Sequence, residues 1–346
     1  MAAAVNPHAS YVRHIIPEGG RFALWKLNLI LRLAVKRTYC YGFDIADYRR
    51  RQAELDPKLS KSDPATRRSP VNCDGVPADW VEVPESRGDK VILYIHGGAW
   101  FLSFPNLHHN MVARLCRLIG AKSLLVDYRL APEHRFPAAI DDCWTTWRWL
   151  LAQGVAARDI VIAGDSAGGN LALALLHRIK AAGDSMPACA VLLSPLVDFT
   201  LSSPSLLTNL KSDPMFTCDR MIGLRHLYIN AEQMLHPDAS PLFAEFNGLP
   251  PLLFQSSGSE VLRDDSLRAA ARAHASGVKV EVELWAGMPH VFQAFPALSQ
   301  CQAALRHMAD FIRRESGWNE GLCTEKEPLF QSRVVNGDAA HSTAAG

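Results

Sequence analysis

The amino-acid sequence predicts an α/β fold: a mostly parallel central sheet with helices on both faces and a helical cap. Two observations support this prediction. From Trp80 onward, short apolar runs alternate with helix-forming runs over roughly two hundred residues, the pattern of parallel strands joined by helical crossovers. One apolar run, Ile160 to Ala163, leads through a glycine-rich corner straight into a helix-forming run. Two less regular stretches, one before Trp80 and one at about residues 198–247, supply the material for a cap.

Composition excludes several classes of protein. The chain has 346 residues, of which 48% are hydrophobic and 21% charged, so it can bury a sizeable core. Its length suits one α/β domain with an appended cap as well as it suits two domains. The 36 Lys and Arg residues nearly balance the 35 Asp and Glu residues, giving a formal net charge of +1. This balance argues against nucleic acid or another polyanion as the main partner.

The N-terminal sequence predicts neither a secretion signal nor a stable membrane anchor. Residues 1–10 lack the basic start and apolar core of a signal peptide. The apolar stretch from Phe22 to Val35 is too short to span a bilayer and contains charged residues. Because Leu24, Leu27 and Leu31 recur at helical spacing, we predict an amphipathic cap helix, with a membrane-surface helix as the alternative.

The 8 cysteines are scattered, without a Cys-x-x-Cys pair or a histidine at zinc spacing. We therefore predict free thiols, no metal site and a reducing, cytoplasmic location.

The predicted organisation has three parts. Residues 1–75 form a helical N-terminal cap segment that ends in a polar, proline-containing linker. Residues 76–315 hold the sheet, with a cap insertion at about 198–247, where Pro, Ser and Asn interrupt the alternation. Residues 316–346 are polar and rich in small residues, which predicts a disordered tail. The last strand, Val278 to Leu284, alternates charged with apolar residues, which predicts a strand near a sheet edge.

The corner after Ile160 to Ala163 reads Gly-Asp-Ser-Ala-Gly, residues 164–168. This is the strand, nucleophile elbow and helix pattern G-x-S-x-G. The turn is too sharp for large neighbours, so Gly164 and Gly168 flank the candidate nucleophile Ser166. The helix that follows points its N-terminus at the negative charge that develops during acyl transfer.

A serine nucleophile needs a base, an acid that orients the base, and donors for the oxyanion. His290 follows the last strand in chain order and is the candidate base, although most of the 13 histidines need no function. Glu260, in the loop after the strand from Leu252 to Ser256, is the favoured acid, with Asp264 and Asp265 as alternatives that more naturally open the next helix.

The oxyanion donors are predicted to be backbone amides. A buried strand ends at His96, and the turn after it contains Gly97, Gly98 and Ala99. Adjacent glycines let main-chain N–H groups approach a substrate closely, and the amide of Ala167 after the nucleophile supplies a further donor. His96 itself is expected to brace the turn.

Five motifs together resemble the hormone-sensitive lipase family of α/β-hydrolases, also called bacterial family IV carboxylesterases. The resemblance covers about residues 80–314. The motifs are His96-Gly97-Gly98-Ala99-Trp100, Asp127-Tyr128-Arg129-Leu130-Ala131-Pro132-Glu133, Phe136-Pro137-Ala138-Ala139, Gly164-Asp165-Ser166-Ala167-Gly168-Gly169-Asn170 and Met288-Pro289-His290.

The resemblance implies a serine carboxylesterase that hydrolyses short- to medium-chain acyl esters through an acyl-enzyme and uses no cofactor. It implies Ser166 as nucleophile and His290 as base, with Gly97, Gly98 and Ala99 forming the oxyanion loop beside the amide of Ala167. It further implies a cap over the acyl pocket. Candidate lining residues, for each of which core packing is an equal alternative, are Trp100, Phe101, Phe104, Met215 and Phe216.

The chain departs from the family pattern at two places. Ala99 stands where the family usually has a third glycine, which leaves a backbone donor in place. Residues 260–265 read Glu-Val-Leu-Arg-Asp-Asp where the family most often has Asp-x-Leu-x-Asp-Glu, so the acid alone is open to reassignment.

Two alternative functions stay open. A lactone hydrolase or a deacetylase would use the same triad, because the triad does not select the leaving group. The second alternative is a ligand-binding member of the fold that has lost catalysis, but such a protein has no need of both Ser166 and His290. The expected partner is a small-molecule acyl ester. The sequence leaves the oligomeric state open, a homodimer included.

Overall fold

The computed structural model describes residues 6–36, 44–60, 63–318 and 332–336. The strands are β1 (Val12–Pro17), β2 (Arg67–Cys73), β3 (Val76–Glu82), β4 (Val91–Ile95), β5 (Lys122–Val126), β6 (Ile160–Asp165), β7 (Cys189–Leu193), β8 (Leu252–Ser257), β9 (Val280–Trp285) and β10 (Ser332–Asn336). The α-helices are α1 (Arg21–Leu31), α2 (Ile45–Leu59), α3 (Pro105–Ile119), α4 (Ala138–Ala152), α5 (Ala167–Ala181), α6 (Ser205–Thr208), α7 (Cys218–Tyr228), α8 (Arg263–Ala275) and α9 (Ser299–Ser316).

The strands form one sheet in the order β10-β1-β9-β8-β7-β6-β4-β5-β3-β2. The pairings from β1 through β9, β8, β7, β6 and β4 to β5 are all parallel. Antiparallel pairs occur only toward the two ends of the sheet, at β10–β1, β5–β3 and β3–β2, among the strands described. The carboxyl ends of the parallel strands therefore share one edge, where ligands bind in open α/β sheets.

Each face of the sheet carries its own core. Along β4, Val91, Leu93 and Ile95 point into one apolar cluster, together with residues of α4, α5 and α8, while Ile92 and Tyr94 point into a second cluster with α3 and α9. Successive side chains of a strand alternate between faces, and burial of both faces explains the continuous apolar strands.

Residues 67–73, which we expected to belong to a linker, form the edge strand β2. It pairs along its whole length with β3 through the two-residue corner Asp74-Gly75, where φ is 51° and 98°. Aspartate followed by glycine favours such a hairpin, because both positions need positive φ. The Asp-Gly signal for a hairpin is present in the sequence, but Pro70 argued against a strand before it. Proline is tolerated here because β2 lies at the edge of the sheet.

The prediction that the last strand lies near an edge holds only in part, because β9 is third from the end of the sheet and is covered by strands on both sides. β1 adds to the sheet beside β9, and the described part of the tail, β10, pairs with β1 in turn. As a result Glu283 on β9 is completely buried, and Arg13 on β1 reaches its carboxylate at 2.8 Å. Burial alone would raise the pKa of Glu283, but His307 and Arg13 stabilise the carboxylate and hold the pKa below its ordinary value.

The tail was predicted to be disordered, but residues 332–336 form β10 and α9 extends to Ser316. Residues 319–331 and 337–346 lie outside the described part of the chain.

The cap lies over the carboxyl edge of the sheet. In α1 the residues that the spacing placed on one face turn inward: Leu31 is buried, and Leu24 and Leu27 pack against the core. Helices α6 and α7 lie in the insertion between β7 and β8, and Met221 and Leu224 of α7 join the core cluster. Within the described residues, no helix combines the length and the apolar character needed to cross a bilayer.

Candidate active site

Ser166 lies in the strained corner between β6 and α5. Its φ is 53° and its ψ is −117°, a region that residues other than glycine seldom adopt. A Cβ on Gly164 would lie 2.4 Å from the carbonyl oxygen of Gly168, and one on Gly168 would lie 2.0 Å from that of Ile95. Only glycine therefore fits at either position, which is the steric requirement that the elbow motif predicts.

Glu260 and His290 meet at the carboxyl ends of β8 and β9. The ring Nδ1 of His290 lies 2.5 Å from Glu260 Oε2, and both side chains are buried. Since a carboxylate accepts only, Nδ1 carries the donated proton, and in the neutral ring Nε2 holds a free lone pair. His290 Nε2 is buried and makes no hydrogen bond within the described residues. The imidazole is thus held in the orientation that a general base requires.

The Glu260 carboxylate is fixed from two further directions. Its Oε1 accepts the Ser194 hydroxyl and the Ser257 amide, both at 2.7 Å. These two residues stand at the ends of neighbouring strands β7 and β8, so the sheet itself positions the acid. Sequence reasoning did not identify Ser194, because its proximity to Glu260 depends on strand order.

Asp264 and Asp265, the alternative acids, belong to the first turn of α8 and bind the cap insertion. Asp264 accepts the amide of Ser205 at 2.9 Å, and Asp265 accepts the amide of Val197 at 2.8 Å. Burial raises the pKa of Asp265 to about 7. Both carboxylates have partners of their own, and neither is hydrogen-bonded to His290.

The candidate oxyanion turn, residues 97–100, is also strained, since φ is 122° at Gly98, 53° at Ala99 and 62° at Trp100. In the part of the chain that the structure describes, no hydrogen bond occupies the amides of Gly98, Ala99 or Ala167. They are therefore free to donate to an oxyanion.

The prediction that Gly97 belongs to the oxyanion donors needs a correction. Its amide donates to Asp165 Oδ1 at 3.0 Å, so it is not free to bind an oxyanion. A Cβ at this position would lie 2.2 Å from Asp165 Oδ2. Glycine is needed here because the turn packs directly on the aspartate before the nucleophile.

A buried contact between a histidine and a carboxylate supports this turn. Asp165 accepts the Tyr94 hydroxyl at 2.7 Å, and His108 Nε2 lies 3.3 Å from the same carboxylate oxygen. Burial alone would raise the pKa of Asp165, but His108, Tyr94 and the Gly97 amide hold it below its ordinary value. Asp165 conversely raises the pKa of His108 despite the burial of that ring. The motif residue Asp165 therefore anchors the oxyanion turn, a role that sequence reasoning missed.

His96 braces the turn as an uncharged ring, as expected. It stacks on Tyr128 with ring centroids 4.3 Å apart, and its Nδ1 donates to the Gly97 carbonyl at 2.6 Å. Burial and the nearby charge of His108 lower the pKa of His96 to about 4.

The His108–Asp165 pair predicts a pH-dependent effect of His108→Gln on stability. The raised pKa of His108 contributes stability in full below its unfolded value of 6.5, and that contribution is lost as the pH rises through the folded-state pKa. We expect His108→Gln to cost about 2 kcal/mol at pH 5.5 and less at pH 9, measured by urea unfolding.

His177→Gln provides a control of opposite sign. Burial lowers the pKa of His177 to about 4, so the wild type loses stability as the pH falls below 6.5 and the variant does not. The free energy of unfolding lost in His177→Gln should therefore be smaller at pH 5.5 than at pH 9. An equal cost of His108→Gln at both pH values would contradict a charged pair.

Ser166 borders an apolar cavity with an empty volume of about 350 Å³, part of which is open to solvent. The lining residues are Ala99, Trp100, Ser166, Leu196, Phe199, Phe216, Met221, Leu224, Arg225 and Leu262. Phe216 also packs edge-on against the ring of His290, with centroids 4.9 Å apart. It thereby connects the cavity wall to the candidate base.

Two of the five predicted lining residues, Trp100 and Phe216, border this cavity. Phe101 is buried in the core, while Phe104 and Met215 pack against the core. The α7 residues on the wall were not predicted, although the spacing of Met221, Leu224 and Arg225 places them on one helical face. In the described residues, no three His, Cys, Asp or Glu side chains converge to hold a metal ion.

Known proteins share this architecture. A family described as alpha/beta hydrolase fold matches residues 92–294. A crystal structure of an esterase from the bacterial hormone-sensitive lipase family superposes with a TM-score of 0.81 at 35% identity, covering 86% of this chain and all of that one (100%). The chain belongs to the hormone-sensitive lipase family of α/β-hydrolases. The predicted family and fold are thus confirmed.

Curated relatives of this hormone-sensitive lipase family member carry esterase names. An esterase of Acinetobacter venetianus is 38% identical over 73% of this chain and 84% of its own length. A carboxylesterase/phospholipase, LipF, of Mycobacterium tuberculosis is 35% identical over 79% of this chain and 74% of its own length.

Proposed function

We infer that this protein is a carboxylesterase that hydrolyses short- to medium-chain acyl esters through an acyl-enzyme on Ser166. The observation that carries the mechanism is the contact of 2.5 Å between His290 Nδ1 and Glu260 Oε2, which leaves Nε2 free. A carboxylic ester hydrolase is also what the names of the relatives support. The apolar cavity beside the nucleophile suits the acyl chain of an ester.

In the proposed cycle, His290 Nε2 takes the proton of Ser166 Oγ as that oxygen attacks the ester carbonyl. Glu260 holds the ring in orientation and stabilises the imidazolium that forms. The amides of Gly98, Ala99 and Ala167 donate to the tetrahedral oxyanion. His290 then gives the proton to the leaving alcohol, and a water molecule cleaves the acyl-enzyme by the same steps in reverse, releasing the carboxylic acid.

Deacetylation is a second candidate, because one relative, from Streptomyces hygroscopicus, is named an acetyl-hydrolase and is 35% identical over 71% of this chain. The cavity argues for a longer acyl group. Its wall carries the apolar side chains of Leu196, Met221 and Leu224, which offer a longer acyl chain more apolar contact than an acetyl group can make.

The test combines active-site labelling with a substrate panel. A fluorophosphonate probe should label the wild-type protein at Ser166, located by peptide mass spectrometry, because only an activated serine reacts. On p-nitrophenyl esters of graded chain length, kcat/KM should peak between butyrate and octanoate and exceed that on an acetyl amide or a lactone. An unlabelled Ser166 would overturn the esterase proposal, and a preference for the amide or the lactone would replace it.

A further inference from the structure

Among the described residues that line the cavity beside Ser166, only Arg225 on α7 is charged. All other lining side chains except Ser166 itself are apolar. Arg225 is partly buried, so solvent compensates part of its charge, and a ligand that fills the cavity would displace that water.

No protein carboxylate supplies that compensation within the described residues, since none lies within 4.0 Å of the Arg225 guanidinium. Asp198, which precedes the wall residue Phe199 in sequence, is already paired with Arg268 at 2.6 Å. It also accepts the hydroxyls of Thr200 and Ser202. Asp198 is therefore already neutralised by Arg268.

The guanidinium of Arg225 is nevertheless held in place. Its Nη1 donates to the carbonyl of Phe199, a cavity residue, at 3.2 Å. Its Nε is buried and has no hydrogen-bond partner in the described structure. The carbonyl contact fixes the position of the side chain but, within the described residues, leaves the positive charge without a carboxylate partner.

We propose that Arg225 is a substrate-binding residue and that the preferred ester carries an anionic group, a carboxylate, on the part of the molecule that fills this cavity. A carboxylate accepts from arginine in a fork geometry and would supply the counter-ion that the described protein residues do not. The inference rests on the proposed ester hydrolysis at Ser166. Since Ser166 and Arg225 border the same cavity, one substrate can contact both.

The test compares two pairs of esters that share shape but differ in charge. Mono-p-nitrophenyl adipate carries the carboxylate on the acyl side, and p-nitrophenyl 6-methylheptanoate is its neutral counterpart. The anion 4-(butyryloxy)benzoate carries it on the alcohol side, with 4-isopropylphenyl butyrate as its counterpart. For each pair the readout is the ratio of kcat/KM, anionic over neutral, so that differences in chemical reactivity cancel between protein variants.

Arg225→Met should lower this ratio roughly 10- to 100-fold in one of the two pairs, mainly through the KM of the anionic ester, because a charge-assisted hydrogen bond is lost. Arg225→Lys should restore part of the ratio, since it keeps the charge without the fork. The pair that responds identifies the side of the ester that enters the cavity.

Arg135→Met is the matched control. Arg135 also donates to backbone carbonyls at the end of α7, those of His226 and Ile229, at 2.9 Å each, but it does not line the cavity. Its loss should leave both ratios unchanged. Ratios unaffected by Arg225→Met in a protein that still hydrolyses the neutral esters would overturn the anionic-substrate inference alone. If the wild type hydrolyses none of the four esters, the esterase proposal is overturned, and this inference with it.

Discussion

Replacing Ser166 by alanine is expected to lower kcat on p-nitrophenyl butyrate by about a million-fold. The substitution removes the oxygen that forms the acyl-enzyme, and no other group in the proposed cycle can take its place. The fold should survive, because alanine keeps the Cβ and the Ser166 side chain makes no capping hydrogen bond to α5. Steady-state hydrolysis, with circular dichroism and thermal unfolding to check the fold, measures both expectations.

The residual rate of the Ser166→Ala protein must be separated from contamination by wild type. Titration of the preparation with a fluorophosphonate probe gives the fraction of reactive serine, and none should be found. Turnover within tenfold of the wild type would mean that the ester is cleaved without this hydroxyl, and the mechanism would have to be abandoned.

Replacing Glu260 by glutamine is expected to lower kcat by about ten-thousand-fold. The carboxylate accepts hydrogen bonds from three donors: the Ser194 hydroxyl, the Ser257 amide and the His290 ring. A carboxamide has one accepting oxygen, so its NH2 group must face a donor on one side, and the charge that stabilises the imidazolium is lost. The pH–rate profile of the variant should be measured alongside kcat at a single pH.

Asp264→Asn is the matched control for Glu260→Gln, because it neutralises another buried carboxylate four residues along the same loop and helix. Asp264 contacts Ser205 and Arg263, so its replacement should cost stability while kcat stays within a few-fold of wild type. If Asp264→Asn instead proves the more damaging to kcat, the acid must be reassigned to Asp264.

The parts of the candidate site that could be predicted from the sequence are those that depend on local motifs. The elbow around Ser166 is dictated by contacts between near neighbours, so its glycines could be interpreted directly. His290 and Glu260 could be chosen because both follow strands whose carboxyl ends share an edge. Their contact of 2.5 Å is the structural counterpart of that choice.

What the sequence left out depends on pairing between distant segments. β1 lies beside β9, and β10 beside β1, only in the folded sheet, and nothing local in residues 278–284 indicates that Glu283 becomes buried. The engagement of the Gly97 amide could not be foreseen for the same reason, since it requires Asp165 to lie beneath the turn. The Asp74-Gly75 hairpin, in contrast, was readable and was missed.

The reacting groups and the cavity wall come from different parts of the chain. Ser166, Glu260 and His290 follow β6, β8 and β9, whose spacing is set by backbone hydrogen bonds. Much of the wall comes from residues 198–247, a segment that only has to leave β7 and return to β8. Such a segment can change in length and composition at small entropic cost. Selectivity and reactivity can thus evolve independently in this architecture, with new substrates reached by exchanging one insertion while the catalytic machinery is inherited unchanged.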